Sequence, residues 1–250
     1  MAGDLQDNQG RGDAGEYWPT IHPDGRKYGV VATGISLALL FFTGLDFIAW
    51  PLLVLSAGIF AFFRDPERVV PQGSELVISP ADGKICAIHQ MEPPEQLQGE
   101  NAAGQCGLPL GAVTRVSIFL SIFDVHINRT PVGGTVRRMV YAPGQYLNTD
   151  LDKSSAGNER QHYLIERSDG LLIGFTQIAG MVARRIVPFV KPGDIVAAGQ
   201  RVGMIRFGSQ VDVYLPAGTQ PAVILGQRMI AGETVLARIG ETNLVEGISL

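Results

Sequence analysis

The sequence predicts a mainly β protein, β-rich α+β in class, that carries an N-terminal membrane-associated helical hairpin. Three observations lead there. After residue 65, short runs of Val, Ile, Leu and Phe alternate with Gly, Pro and Asn, which is the cadence of strands and turns. Before it, residues 29 to 63 contain one formal charge, Asp46, in 35 positions, a density that no surface of a water-soluble domain has. The 250-residue chain is 46% hydrophobic and 18% charged, enough for one sizeable core and an apolar appendage.

Residues 1 to 28 read as a flexible leader, acidic and Gly-rich through its first 20 positions. Residues 29 to 63, GVVATGISLALLFFTGLDFIAWPLLVLSAGIFAFF, read as the hairpin. Arg26 and Lys27 precede it and Arg64 and Arg68 follow it. Positive residues stay on the cytoplasmic side, so both ends belong there, and the bend falls at the interruption by Gly44, Asp46 and Pro51. Each arm of about 17 residues reaches roughly 25 Å at the helical rise, slightly short of a hydrocarbon core. A shallow or re-entrant hairpin and two full spans both fit that length. A cleaved signal peptide does not, because the apolar run starts late, is too long and follows an acidic leader.

From residue 64 to 250 a single β-rich domain is expected. Its strands are VTRVSIFLSIF, GTVRRMVY, HYLIERS, LLIGFTQ, ARRIVPFV and VDVYLP. Residues 91 to 111 and 148 to 161 lack periodicity and read as loops, the second a candidate lid over a site.

Composition excludes several functions. A net charge of -4 argues against nucleic acid, whose phosphates demand an excess of clustered Lys and Arg. Two cysteines, Cys86 and Cys106, make no disulfide framework. Cys86, in the strand-like run KICAI, is expected buried and inert. Neither cysteine has a Cys or His neighbour at ligand spacing, so no metal site is expected. The four histidines form no H-x-H pair or HxxxD, which removes a metallopeptidase.

An internal similarity refines the fold. VKPGDIVAAGQRVGMI, at 190 to 205, and ILGQRMIAGETVLARI, at 224 to 239, share a strand, turn, strand cadence. With SPADGKI they resemble the barrel-sandwich folds of biotinyl and lipoyl carrier domains, so a membrane-anchored, non-catalytic carrier is a rival reading. A carrier needs a lysine at a hairpin tip, and no lysine occurs after Lys191.

Three segments bear on chemistry: SPADGKI with Asp82, SIFDVHINRTPVGG with His126, and RFGSQVDVYLP with Gly208 and Ser209. A bare Gly-Ser is ordinary turn chemistry, and Asp-Gly marks turns as well. Serine, however, is a poor nucleophile until a base lies within hydrogen-bond reach and an acceptor orients that base, and His126 and Asp82 supply those residue types. In this order, with FRDPER at 63 to 68, VRRMVYAPG at 136 to 144 and VARRIVPFVKPGD at 182 to 194, the segments resemble the phosphatidylserine decarboxylase family in its short bacterial form. The resemblance covers nearly all the chain after residue 60.

That resemblance implies a pyruvoyl enzyme made by self-cleavage between Gly208 and Ser209. The Ser209 hydroxyl would attack the Gly208 carbonyl, the ester would eliminate, and the dehydroalanine would hydrolyse to a pyruvoyl group with loss of ammonia. Residues 1 to 208 and 209 to 250 become large and small subunits of one proenzyme. Phosphatidylserine would form a Schiff base with the ketone, lose CO₂, accept a proton from His126 and leave as phosphatidylethanolamine. Imidazole suits that step because it ordinarily titrates near neutrality. Decarboxylation of another serine-headed lipid is the alternative within the same chemistry. A homodimer at the cytoplasmic face of the cell membrane is likewise implied. Where longer family members carry a second histidine, three positions before His126, this chain has Phe123, and Gln210 replaces the small hydroxyl residue common after the serine. His22, His89 and His162 are expected at the surface. Arg129, Arg137, Arg138, Arg184 and Arg185 are candidates for the headgroup phosphate, with at most one of each adjacent pair facing a site.

Overall fold

The computed structural model describes residues 19–99, 107–144, 158–180, 185–206, 209–243 and 245. Its first unit is a helical hairpin. β1 (Thr20–Ile21) pairs with β2 (Arg64–Asp65) and closes the base. Between them run α1 (Pro23–Phe42) and α2 (Asp46–Phe62). Pro23 opens α1 at a position where its missing N–H costs nothing, and the His22 ring accepts from the Asp24 N–H. The helix thus starts six residues before the apolar run. Gly44, at φ 65°, makes the bend, whereas Pro51 lies inside α2 rather than at the turn.

The hairpin is inverted relative to a soluble helix pair. Small and polar residues meet between the helices: Gly25, Gly29, Ser36, Ala49 and Ser56 are buried, and Thr33 Oγ1 donates to Ser56 Oγ at 3.2 Å. A methyl group on Gly25 would stand 2.2 Å from Phe63 Cβ, so close approach of the backbones depends on glycine there. The large apolar side chains face outward, among them Phe41, Phe42, Phe47, Trp50 and Val54. No helix of the described residues is long and apolar enough to cross a membrane.

The remainder is β. β3 (Leu76–Ile78), β4 (Gly83–Met91), β5 (Val113–Leu120), β6 (Ile127–Arg129), β7 (Gly134–Ala142), β8 (Arg160–Glu166), β9 (Leu172–Ala179), β10 (Ile186–Pro188), β11 (Ile195–Val196), β12 (Arg201–Ile205), β13 (Ser209–Leu215), β14 (Arg228–Met229) and β15 (Val235–Arg238) follow in order. Eight of them form one antiparallel, curled sheet in the order β11-β7-β8-β9-β13-β5-β4-β14. A three-stranded sheet, β10-β12-β6, and the pair β15-β3 complete the fold. The two similar segments form strand-turn-strand units, β11–β12 and β14–β15, and each unit divides its strands between two sheets.

β13 is central, paired with β9 on one side and β5 on the other. Val211, Val213 and Leu215 pack inward with Ile118, Phe175, Ile165 and Val136 in the main core. The alternating VDVYL pattern would suggest a solvated second face, yet all seven residues of β13 are buried. On that second face Asp212 accepts from Gln210 Nε2 at 2.7 Å, and Thr176 Oγ1 meets His162 Nδ1 at 2.8 Å. His162 is therefore not a surface residue, and burial lowers its pKa to about 4. Cys86 is the converse: alternation in β4 places it on the exposed face, where its thiol lies 3.4 Å from the Ser117 carbonyl.

Part of the expected loop at 91 to 111 is structural. A 3-10 turn, Glu95–Leu97, buries Leu97 against Leu108, Val113, Leu164 and Tyr214. Most of the candidate lid at 148 to 161 lies outside the described residues.

Candidate active site

Antiparallel pairing gathers the sequence-predicted residues at one end of the large sheet. β13 begins there with Ser209, opposite Leu120 where β5 ends and Ala179 where β9 ends. β4 begins there too, with Lys84 opposite Phe119 directly after Asp82-Gly83. Gly83 has φ 147°, and a methyl group on it would stand 2.1 Å from the Phe119 carbonyl oxygen, so only glycine brings this turn against β5. The loop leaving β5 returns through His126 into β6. The Ile205 N–H donates to the His126 carbonyl at 3.1 Å, and Ser209 follows Ile205 by four residues. A chain that short spans at most about 14 Å.

Ser209 is fully buried. Its Oγ has no hydrogen-bond partner among the described residues. A buried hydroxyl in that condition is an expense to the fold, and it is available for chemistry. Gly208 lies outside the described residues.

His126 is buried with its Nδ1 2.9 Å from the Asp124 carbonyl oxygen. A carbonyl can only accept, so Nδ1 carries the hydrogen and the lone pair of the neutral ring is on Nε2. The loop that presents it is well tied. Asp124 Oδ2 accepts from the Ser121 N–H and Oγ, each at 2.8 Å, and Arg228 donates to Oδ1. Arg64, the second residue after α2, donates to the Phe123 carbonyl. Burial pushes the imidazole pKa down to about 4; the Asp124 hydrogen bond and its charge oppose this, and Arg64 adds to it. With its pKa there, below the near-neutral range in which imidazole ordinarily titrates, the ring is neutral at pH 7.

Asp82 sits beside this site without holding the histidine. Arg68 Nη2 donates to both of its oxygens, at 3.1 and 2.8 Å, and the Ala231 N–H donates to Oδ1 at 2.8 Å. The acceptor on His126 Nδ1 is main chain, from Asp124. What Asp82 fixes is the SPAD turn, whose Pro80 carbonyl accepts the Arg129 N–H at 2.8 Å and so anchors the strand that His126 leads into.

Sequence reasoning missed a polar chain on the inner face of the sheet. Tyr163 donates to Gln177 Oε1, and Gln177 Nε2 donates to Asn128 Oδ1, both at 2.7 Å. Gln177 opposes Val211, two residues along the strand from Ser209, and Asn128 follows His126 by two, the period of one strand face. Asn128 Nδ2 is buried with no partner among the described residues. The i, i+2 spacing of His126 and Asn128 was the available signal. Among the arginine candidates, Arg129 is committed to Asp65 and to the Pro66 and Gly199 carbonyls, and Arg138 to the carbonyls of Gln96, Gln98 and Gly99. Arg137 pairs with Glu166 at the surface and Arg185 is exposed. Arg184 lies outside the described residues. Also among the described residues, no cluster of three His, Cys, Asp or Glu side chains could hold a metal ion.

Residues 55–237 match the phosphatidylserine decarboxylase family. The chain is 63% identical over 247 residues to the phosphatidylserine decarboxylase proenzyme of Erythrobacter litoralis (strain HTCC2594), covering 99% of each. It is 60% identical over 248 residues to the protein of that name from Novosphingobium aromaticivorans, covering 99% of this chain and 98% of the relative. The Zymomonas mobilis counterpart is 54% identical over 224 residues, covering 90% and 89%. With a match across most of its length and such identity end to end, this chain belongs to the phosphatidylserine decarboxylase family.

Proposed function

We infer that the protein is a membrane-associated phosphatidylserine decarboxylase that activates itself by cleavage between Gly208 and Ser209. The observation that carries this reading is Ser209: a fully buried serine at the start of the central strand, its Oγ uncommitted, at the sheet end that also bears a neutral histidine.

In self-cleavage, Ser209 Oγ attacks the Gly208 carbonyl carbon while His126 Nε2 takes the hydroxyl proton. The Asp124 carbonyl holds the tautomer that makes this possible and becomes a stronger partner once the ring is charged. The lowered pKa keeps the ring almost wholly in the proton-accepting form at pH 7, although it also makes the base weaker. Asp82 contributes by fixing the turn that anchors β6.

The site fits a pyruvoyl group derived from Ser209. That group would occupy a dry strand position flanked by Leu120 and Ala179, with the Asn128 amide as a buried donor nearby. When formed, it supplies a ketone that takes up the substrate amine and accepts the electron pair released with CO₂. His126 then returns a proton to the substrate carbon, and it must first collect that proton within the cycle, since it rests neutral. The product is phosphatidylethanolamine.

The inverted hairpin supports lipid association: polar groups face inward and aromatics outward, which suits hydrocarbon and is costly in water. Arg26, Lys27 and Arg64 near its base suit the cytoplasmic leaflet. The carrier reading gains no support from any relative's name.

An intact-mass spectrum under denaturing conditions is the decisive test. Wild type is expected as two fragments, the smaller starting at residue 209 with a keto acyl group. Ser209→Ala is expected as one inactive 26.8 kDa chain. Cleavage or decarboxylation by Ser209→Ala would remove the assignment.

A further inference from the structure

The hairpin does more than protrude from the domain. Phe62, the last residue of α2, is buried, and its ring lies 4.3 Å from the His126 imidazole at an interplanar angle of 35°. The contact belongs to a small apolar cluster that joins the hairpin to the site: Phe62 and Phe63 from the hairpin, Val125 and Ile127 on either side of His126, and Met204 from β12. Arg64 adds a polar tie through the Phe123 carbonyl. The hairpin base is itself clamped, by the His22 N–H to the Phe63 carbonyl at 2.9 Å and by Arg206 to Asp24 at 2.7 Å.

Building on the role given to His126 above, we propose that Phe62 is a positioning residue for His126, through which the seating of the helical hairpin sets the orientation of the imidazole and its isolation from water. The ring needs such a wall. Its Nδ1 meets a loop carbonyl at 2.9 Å, and Phe62 lays an aromatic face against the ring, so that packing as well as hydrogen bonding sets its orientation. Among the described residues, the charged groups that act on the ring are Asp124 on its own loop and Arg64 after α2; on the β12 side Arg206 is paired with Asp24. Burial outweighs all of them, and Phe62 is part of that burial. A hairpin lifted from the domain would therefore expose the histidine and loosen it together. Membrane engagement and base competence share one contact.

The test is a histidine titration by NMR in the uncleavable Ser209→Ala chain, with the His126 signal assigned by its loss in His126→Gln. With Phe62 present the signal is expected to titrate far below 6.5. Phe62→Ala is expected to raise it by about one pH unit or more, and Phe62→Leu, which keeps apolar cover without the ring, by less. Gly25→Ala, which pushes on Phe63 at the hairpin base and leaves Phe62 in place, is expected to move it in the same direction. In the cleavable chain, the acid limb of the pH profile for self-cleavage, where His126 must be unprotonated, should move up by the same amount. Near-UV circular dichroism identifies folded variants, and Phe62→Leu and Gly25→Ala carry the test if Phe62→Ala does not fold. An unmoved His126 titration in folded Phe62→Ala, or in the other two together, overturns the proposal. Normal processing by His126→Ala would overturn the catalytic role instead, and the titration would still report the contact.

Discussion

At the scale of single residues, the proposed site divides into groups assigned to react and groups that hold. Ser209 and His126 stand out in sequence because their neighbourhoods, RFGSQ and FDVHIN, are distinctive, and the structure adds their burial. Asp82 was legible as a site residue by its SPADG setting, but its partner was not, since nothing in sequence separates a carboxylate that orients a histidine from one that closes a turn. The structure makes Arg68 that partner, both side chains being 14% exposed. Breaking a largely buried pair leaves the other charge stranded, so Asp82→Asn and Arg68→Gln are each expected to destabilise the fold by about 2 kcal/mol, with less than additive effects in the double variant. Both should slow self-cleavage, because both release the turn that anchors β6. The measurement is chemical denaturation of uncleavable chains alongside processing rates of cleavable ones. Slow processing in Asp82→Asn with normal processing in Arg68→Gln would show the carboxylate acting directly on the chemistry.

At the scale of elements, periodicity located most strands yet misjudged their faces. VDVYL alternates like a half-exposed strand, and HYLIERS placed His162 near a surface loop; both strands are covered on the two sides, with polar groups paired to each other on the outer face. Alternation reports side-chain type, and polar pairing satisfied within the fold looks the same in sequence as solvation. A pH dependence follows. His126 and His162 have folded pKa values near 4 against 6.5 when unfolded, so between those limits the unfolded chain binds more protons. Stability therefore falls as pH drops through that window. By pH 5 the loss should approach about 2 kcal/mol for each buried histidine. Asp212 acts in the opposite sense, because burial raises its pKa and protonation relieves it. Urea unfolding of the Ser209→Ala chain at pH 7 and pH 5 should register the loss, and His162→Gln should remove about half of the histidine share. A variant as acid-sensitive as its parent would mean that His162 takes up no extra proton on unfolding.

At the scale of the whole molecule, the β-rich domain and the preceding hairpin were both legible, the first from turn-bounded apolar runs and the second from a nearly uncharged stretch bracketed by basic residues. The curling of eight strands into one sheet was not, because register and strand order rest on long-range pairs that leave no local mark. Nor was the docking of the hairpin on the histidine loop, which depends on which of several phenylalanines ends α2. That docking changes how the hairpin must be tested. Deleting residues 1 to 63 removes Phe62 with the apolar helices, so it is expected to impair self-cleavage as well as the lipid binding proposed for the hairpin. The two functions separate along the length of the hairpin instead. Phe41, Phe42, Phe47 and Trp50 lie at its far end, exposed and remote from the Phe62 contact in sequence. Each large side chain buried in lipid contributes about 2 kcal/mol, so replacing all four with Ser is expected to weaken partitioning into phospholipid vesicles by at least about a hundredfold. Vesicle flotation reads that loss, and intact mass reads processing, which should remain complete. Undiminished flotation would mean that the hairpin tip is not the anchor, whereas lost processing would extend the influence of the hairpin on His126 beyond its base.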